Sequence, residues 1–108
     1  MLVARNYKTP GRGGGEVDLI MQEPARHAKE EATLVFVEVR QRANASHGGA
    51  AASVGASKQR RVIFAARHYL LRLPNVPPCR FDVVSINGDL SHAPQLVWVT
   101  GAFEASSF

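Results

Sequence analysis

The segment Thr33 to Arg40, TLVFVEVR, constrains the fold more than any other part of the chain. It is β-branched and aromatic, and it is apolar on both faces near its start. That pattern marks a strand in the interior of a sheet. Strand alternation puts Leu34, Phe36, Glu38 and Arg40 on one face. A carboxylate therefore closes a face that is otherwise of core type. Burying it is costly unless a cation, a metal or a hydrogen-bond donor meets it.

The flanking segments supply the rest of a sheet. Leu2 to Tyr7 reads as a short strand, ended by Pro10 and the glycines Gly11, Gly13, Gly14 and Gly15. Glu16 to Met21, EVDLIM, has the period of two of a strand, with Glu16 and Asp18 on the same face. Gln22 to Ala32 is polar and reads as a connection. Ala43 to Ala56 is built of small residues and reads as a loop with at most one turn of helix. Ser57 is a candidate N-cap for a helix carrying Val62, Ala65, Ala66, Tyr69, Leu70 and Leu73, stopped by Pro74. Arg80 to Ile86 is a further strand, Asn87-Gly88 a turn, and Gln95 to Thr100 a last strand. The class is α/β, with a mixed sheet and one main helix. With 108 residues and no internal repeat or linker, residues 1–108 are expected to form a single domain.

Charge points to a partner. The chain carries 13 Lys plus Arg against 9 Asp plus Glu, and ten of the 13 are arginine. No acid occurs between Val39 and Phe81, a stretch that holds Arg40, Arg42, Lys58, Arg60, Arg61, Arg67, Arg72 and Arg80. Arginine suits bidentate phosphate contacts, so a nucleic acid is the natural partner, with a solvated helix face as the plainer account. No run approaches the ~18 apolar residues of a membrane span, no signal peptide is evident, and Cys79 is the sole cysteine, so a cytoplasmic protein is expected.

Two arrangements are open for the strand carboxylates. If the second and third strands form a hairpin, Asp18 and Glu38 converge. Two carboxylates with water and a phosphate oxygen make a usual Mg²⁺ site. Alternatively Glu38 pairs with Arg40 or Arg42, and Glu16 and Asp18 are merely exposed. Asp82 is expected to pair with Arg80 or Arg61. Cys79 reads as a small buried residue, and Tyr69 and Trp98 read as core. His47, beside Gly48, reads as an exposed loop residue or a contact to substrate or metal.

GEVDLI, then FVEVRQR, His47-Gly48, Lys58, Arg61, RFDVV and a closing WVTGAF resemble the YraN/UPF0102 family. That family is similar to the PD-(D/E)xK nucleases, notably the archaeal Holliday-junction resolvases. The resemblance implies a restriction-endonuclease-like mixed sheet flanked by helices. It also implies that Asp18 and Glu38 are ligands of Mg²⁺ or Mn²⁺, with Glu16 a further ligand or a supporting group. Arg40 stands where the superfamily has lysine. It stays protonated and so cannot be a general base, though it can stabilise phosphate charge. Lys58 is the candidate for the missing ammonium group. Relatives usually begin with a helix ahead of the first strand. The sequence here starts at that strand, so one flank of the sheet is expected to expose apolar surface.

The resulting expectation is a metal-dependent endonuclease acting on DNA, branched or single-stranded. Asp18, Glu38, Arg40 and Lys58 would be catalytic, and Arg42, Lys58, Arg60, Arg61 and Arg67 would hold nucleic acid. A homodimer is compatible with the resemblance. The alternatives are a nucleic-acid-binding domain without chemistry and a small protein-binding scaffold.

Overall fold

The computed structural model describes residues 1–42, 54–88 and 93–105. Its elements are β1 (Leu2–Lys8), β2 (Glu16–Glu23), β3 (Thr33–Arg42), α1 (Ala56–Leu70), β4 (Cys79–Asn87) and β5 (Gln95–Phe103). The five strands form one mixed sheet in the order β1-β2-β3-β4-β5, so β3 is central. β1, β2 and β3 pair antiparallel in sequence, as do β4 and β5. β3 and β4 run parallel, which needs a crossover, and α1 lies on that crossover.

β3 divides the apolar residues between two faces. On one face, Leu34 and Phe36 join Val17, Ile20 and Phe81 against Val62, Ala65, Ala66 and Leu70 of α1. Stacked rings continue this layer, with Phe36 5.6 Å from Phe81 and Phe81 5.1 Å from Phe103. On the other face, Val35, Val37 and Val84 cluster with Leu19, Met21 and Val39. Among the described residues no helix lies over this second face. Leu2, Val3, Leu96 and Trp98 are exposed apolar residues of the strands at its margins.

Several elements depart from the sequence reading. β2 runs on to Glu23, because Gln22 and Glu23 pair with Leu34 and Thr33. α1 is capped by Gly55 in an extended conformation, and Ser57 lies inside the first turn. The cap has no side-chain bond; instead the Gly55 carbonyl accepts from Gln59 N–H and the Val54 carbonyl from the Gln59 amide. α1 ends at Leu70, ahead of Pro74. Trp98 is 46% exposed, because it lies on the edge strand β5. Tyr69 packs on the core as expected, and Cys79 is partly buried. One helix, rather than several, is described against the sheet. Most of the loop reading for Ala43 to Ala56, together with His47 and Gly48, falls on 43–53, outside the described residues.

The β1–β2 turn sets the height of α1 over the sheet. It is closed by Thr9 N–H to Gly15 O at 3.0 Å and Gly15 N–H to Thr9 Oγ1 at 2.8 Å. Gly15 meets the helix backbone directly. A methyl group there would overlap the Arg61 carbonyl and stand 2.5 Å from the Ala65 nitrogen. Backbone cannot step aside cheaply, so Gly15→Ala is expected to cost roughly 1–3 kcal/mol, the usual range for overpacking. Urea denaturation checks this, and an unchanged midpoint would refute the close approach.

Candidate active site

The β2–β3 ladder runs from Glu23–Thr33 to Leu19–Val37. Beyond that rung, two carboxylates take over from the backbone. Asp18 N–H donates to Glu38 Oε1 at 3.1 Å, and Val39 N–H donates to Asp18 Oδ2 at 2.8 Å. Both donors would otherwise be left without partners where the strands part. Each carboxylate thus caps a backbone N–H of the other's strand at the fork, the nearness that hairpin pairing allows.

Glu38 is buried, at 1% exposure, and its cation is Lys58 from the first turns of α1. Lys58 Nζ lies 3.4 Å from Glu38 Oε2 and 3.1 Å from Glu16 Oε1. Arg61 Nη2 adds a 3.0 Å contact to Glu16. Burial pushes the Glu38 carboxyl above its ordinary value, and the Asp18 charge adds to this; Lys58 only partly offsets them. Glu16 is held low, first by its hydrogen bond to Lys58 and then by the charges of Lys58, Arg61 and Lys8. Burial works against the Lys58 charge, but the two carboxylates outweigh it and raise its pKa. Lys58 is therefore a fixed ammonium group at neutral pH.

The pairing weighed for Glu38 with Arg40 is replaced by Lys58. Arg40 is half-buried on the strand, and no ion pair to it occurs among the described residues. The Arg42 side chain lies outside the description. Glu16 and Asp18 do not share a setting, contrary to strict alternation. Val17 and Ile20 both face α1, so the period slips between them. Glu16 is held by α1, whereas Asp18 lines a groove with Leu19, Met21 and Val39. The helix cations also divide. Lys58 and Arg61 reach the site, while Arg60 and Arg67 are exposed on the outer side with Phe64. The Arg72 guanidinium lies 5.3 Å from the Tyr69 ring centre.

A family model described as "Uncharacterised protein family UPF0102" matches residues 1–86, which include Asp18, Glu38 and Lys58. A UPF0102 protein of Polaromonas naphthalenivorans is 59% identical, over 96% of this chain and 67% of the relative. One from Albidiferax ferrireducens is 62% identical over 96% and 73%. Another from Methylibium petroleiphilum is 50% identical over 97% and 80%. The chain belongs to the UPF0102 family.

The donor set of this UPF0102 chain can be tested against a divalent metal. Asp18 and Glu38 offer hard oxygens, and Mg²⁺ is commonly held by one or two carboxylates with waters and phosphate oxygens. A buried carboxylate beside a second one also favours a cation. The pair fits such a site. Among the described residues no group of three or more His, Cys, Asp or Glu gathers, and Glu16 is held by Arg61 and by the Lys58 it shares with Glu38.

A second buried carboxylate, Asp82, was expected to pair with Arg80 or Arg61, and the Arg80 pairing is present. Asp82 accepts from Arg80 Nε at 2.9 Å, Arg80 Nη2 at 3.0 Å, Trp98 Nε1 at 2.8 Å and Gly101 N–H at 3.0 Å. Burial alone would raise its pKa; these donors outweigh burial and hold it low. The tryptophan and glycine contacts are long-range, and nothing in the local pattern announces them.

Lys58→Met would leave Glu38 without a cation. Breaking a fully buried pair costs about 3–5 kcal/mol, and Lys58 is 26% exposed, so a loss of roughly 1–3 kcal/mol at neutral pH is expected. Glu38 holds its proton more tightly folded than unfolded. Its cost is thus absent in acid and grows as pH rises above the ordinary carboxylate range. The difference in urea midpoint between wild type and variant should widen from about pH 4 to about pH 8. A constant difference would show that Lys58 acts by packing alone.

Proposed function

We propose that this chain is a metal-dependent endonuclease that hydrolyses phosphodiester bonds in DNA, branched or single-stranded. The observation that supports it most is the meeting of Asp18 and Glu38 at the fork of β2 and β3, with the Lys58 ammonium against Glu38. Asp18 and Glu38 would hold Mg²⁺ or Mn²⁺. When bound, the ion supplies a Lewis acid for the phosphodiester and lowers the pKa of an attacking water.

The protein's own groups divide the remaining work. Lys58 keeps its charge and sits at the carboxylates, which suits it to stabilise developing phosphate charge rather than to accept a proton. Arg40, on the Glu38 strand and free of ion pairs among the described residues, is assigned to the scissile phosphate. Arg61, exposed beside Glu16, extends the positive rim, and Arg60, Arg67 and Arg42 are assigned to more distant backbone contacts.

A second reading rests on a specific contact. Lys58 is shared between Glu38 and Glu16, so the site already holds a cation of its own. A nucleic-acid-binding domain without chemistry would need nothing further. It predicts a steep salt dependence of binding and no metal requirement.

Cleavage of single-stranded, duplex, flapped and four-way DNA in Mg²⁺, Mn²⁺ or EDTA decides between them. The nuclease reading expects cutting that EDTA abolishes and that Asp18→Ala and Glu38→Ala each reduce by at least about 100-fold. Binding without cutting on every substrate would overturn it and leave the second reading.

A further inference from the structure

Asn6 is held in a backbone conformation that an L-residue rarely takes, with φ at 51°. Asparagine is among the residues that tolerate the left-handed region, but glycine adopts it without cost. Among the described residues, glycine takes such a conformation at Gly11, Gly13, Gly88 and Gly101, and Ala93 is the one other non-glycine residue that does, in the connection ahead of β5 rather than within a strand. Asparagine often repays the strain with a local side-chain hydrogen bond. Asn6 is exposed, and its carboxamide has no partner among the described residues.

The position of the strain is informative. Arg5 pairs with Leu19 and Tyr7 with Val17, which sets Asn6 beside Asp18 on the neighbouring strand. The residues of β1 that pack on the α1 side are Ala4 and Tyr7, and those of β2 are Val17 and Ile20. On both strands the core-facing residues are three apart instead of two, at the same height. This matched slip turns Arg5, Asn6, Asp18 and Leu19 into a common groove, whose far wall is Val39 of β3. Asn6, with its strained backbone and its unpartnered carboxamide, and Arg5 thus line the same groove as Asp18.

We propose that Asn6 is a substrate-contacting residue, whose carboxamide donates a hydrogen bond to a phosphate oxygen of nucleic acid lying at Asp18, with Arg5 alongside. The left-handed turn aims that side chain. This inference rests on the reading of the Asp18 groove as a nucleic-acid site.

Asn6→Gly separates the side chain from the backbone, because glycine relieves the strain while removing the carboxamide. Asn6→Asp keeps the tolerance for positive φ and sets a negative charge against the phosphate. Both would be assayed by urea denaturation, by anisotropy with a labelled branched or single-stranded oligonucleotide in EDTA, and by cleavage in Mg²⁺. The expected result for Asn6→Gly is an unchanged or higher urea midpoint, oligonucleotide affinity weaker by roughly tenfold, and a KM effect larger than the kcat effect. Asn6→Asp should bind more weakly still. Wild-type affinity and cleavage in Asn6→Gly would overturn the proposal and leave Asn6 a backbone residue only. Unfolding of both variants would overturn it in favour of a structural role. If the wild type neither binds nor cuts, the nucleic-acid reading itself fails, and this inference falls with it.

Discussion

The rest of the structure turns on one buried charge. Glu38 closes the apolar face of the central strand, and the protein has to neutralise it there. Lys58 does so only because α1 starts close to the fork, and α1 starts there because Gly15 lets the helix backbone touch the β1–β2 turn. Glycine-rich turn, helix height, ammonium position and carboxylate burial are therefore one linked arrangement. Loosening any member moves the charge balance at Glu38.

Asp82 shows what a solved version of the same problem looks like. It sits one strand away and is buried as fully as Glu38. Four donors surround it, and its proton affinity falls below the ordinary value. Glu38 has two donors, a second carboxylate as neighbour, and a raised proton affinity. Equal burial with opposite shifts separates a carboxylate that is finished by the fold from one that still favours more positive charge. That contrast, more than burial itself, is why the proposed function is placed at the fork rather than at Asp82.

Much of this was readable from residue order. Five strands, one helix and the central place of TLVFVEVR follow from periodicity, and the lone cost at Glu38 follows from alternation. Lys58 came into view only as the candidate ammonium group that the family resemblance called for, not from periodicity. What periodicity could not show was the slip at Asn6 and Asp18, because a period of two assumes that every residue of a strand is extended. The only local trace was an asparagine within a strand, where that residue is depleted. Trp98 was misplaced for a related reason. QLVWVT is apolar on both faces, which reads as interior, but only the sheet order reveals that β5 has no neighbour beyond it among the described residues. Arg60 and Arg61 are adjacent in sequence and face different ways, which a count of charges cannot express.

The parallel pairing of β3 with β4 ties the fork to the order of folding. β1, β2 and β3 are consecutive antiparallel neighbours whose contacts close over short loops, and so do β4 and β5. β3 and β4 meet only after the chain has travelled through α1, a contact with a larger loop-closure entropy. The segment that makes this long connection also carries Lys58, whose ammonium meets Glu38, and it rests against Gly15. The crossover that joins the two antiparallel units of the sheet is therefore the same element that neutralises the carboxylate on its central strand.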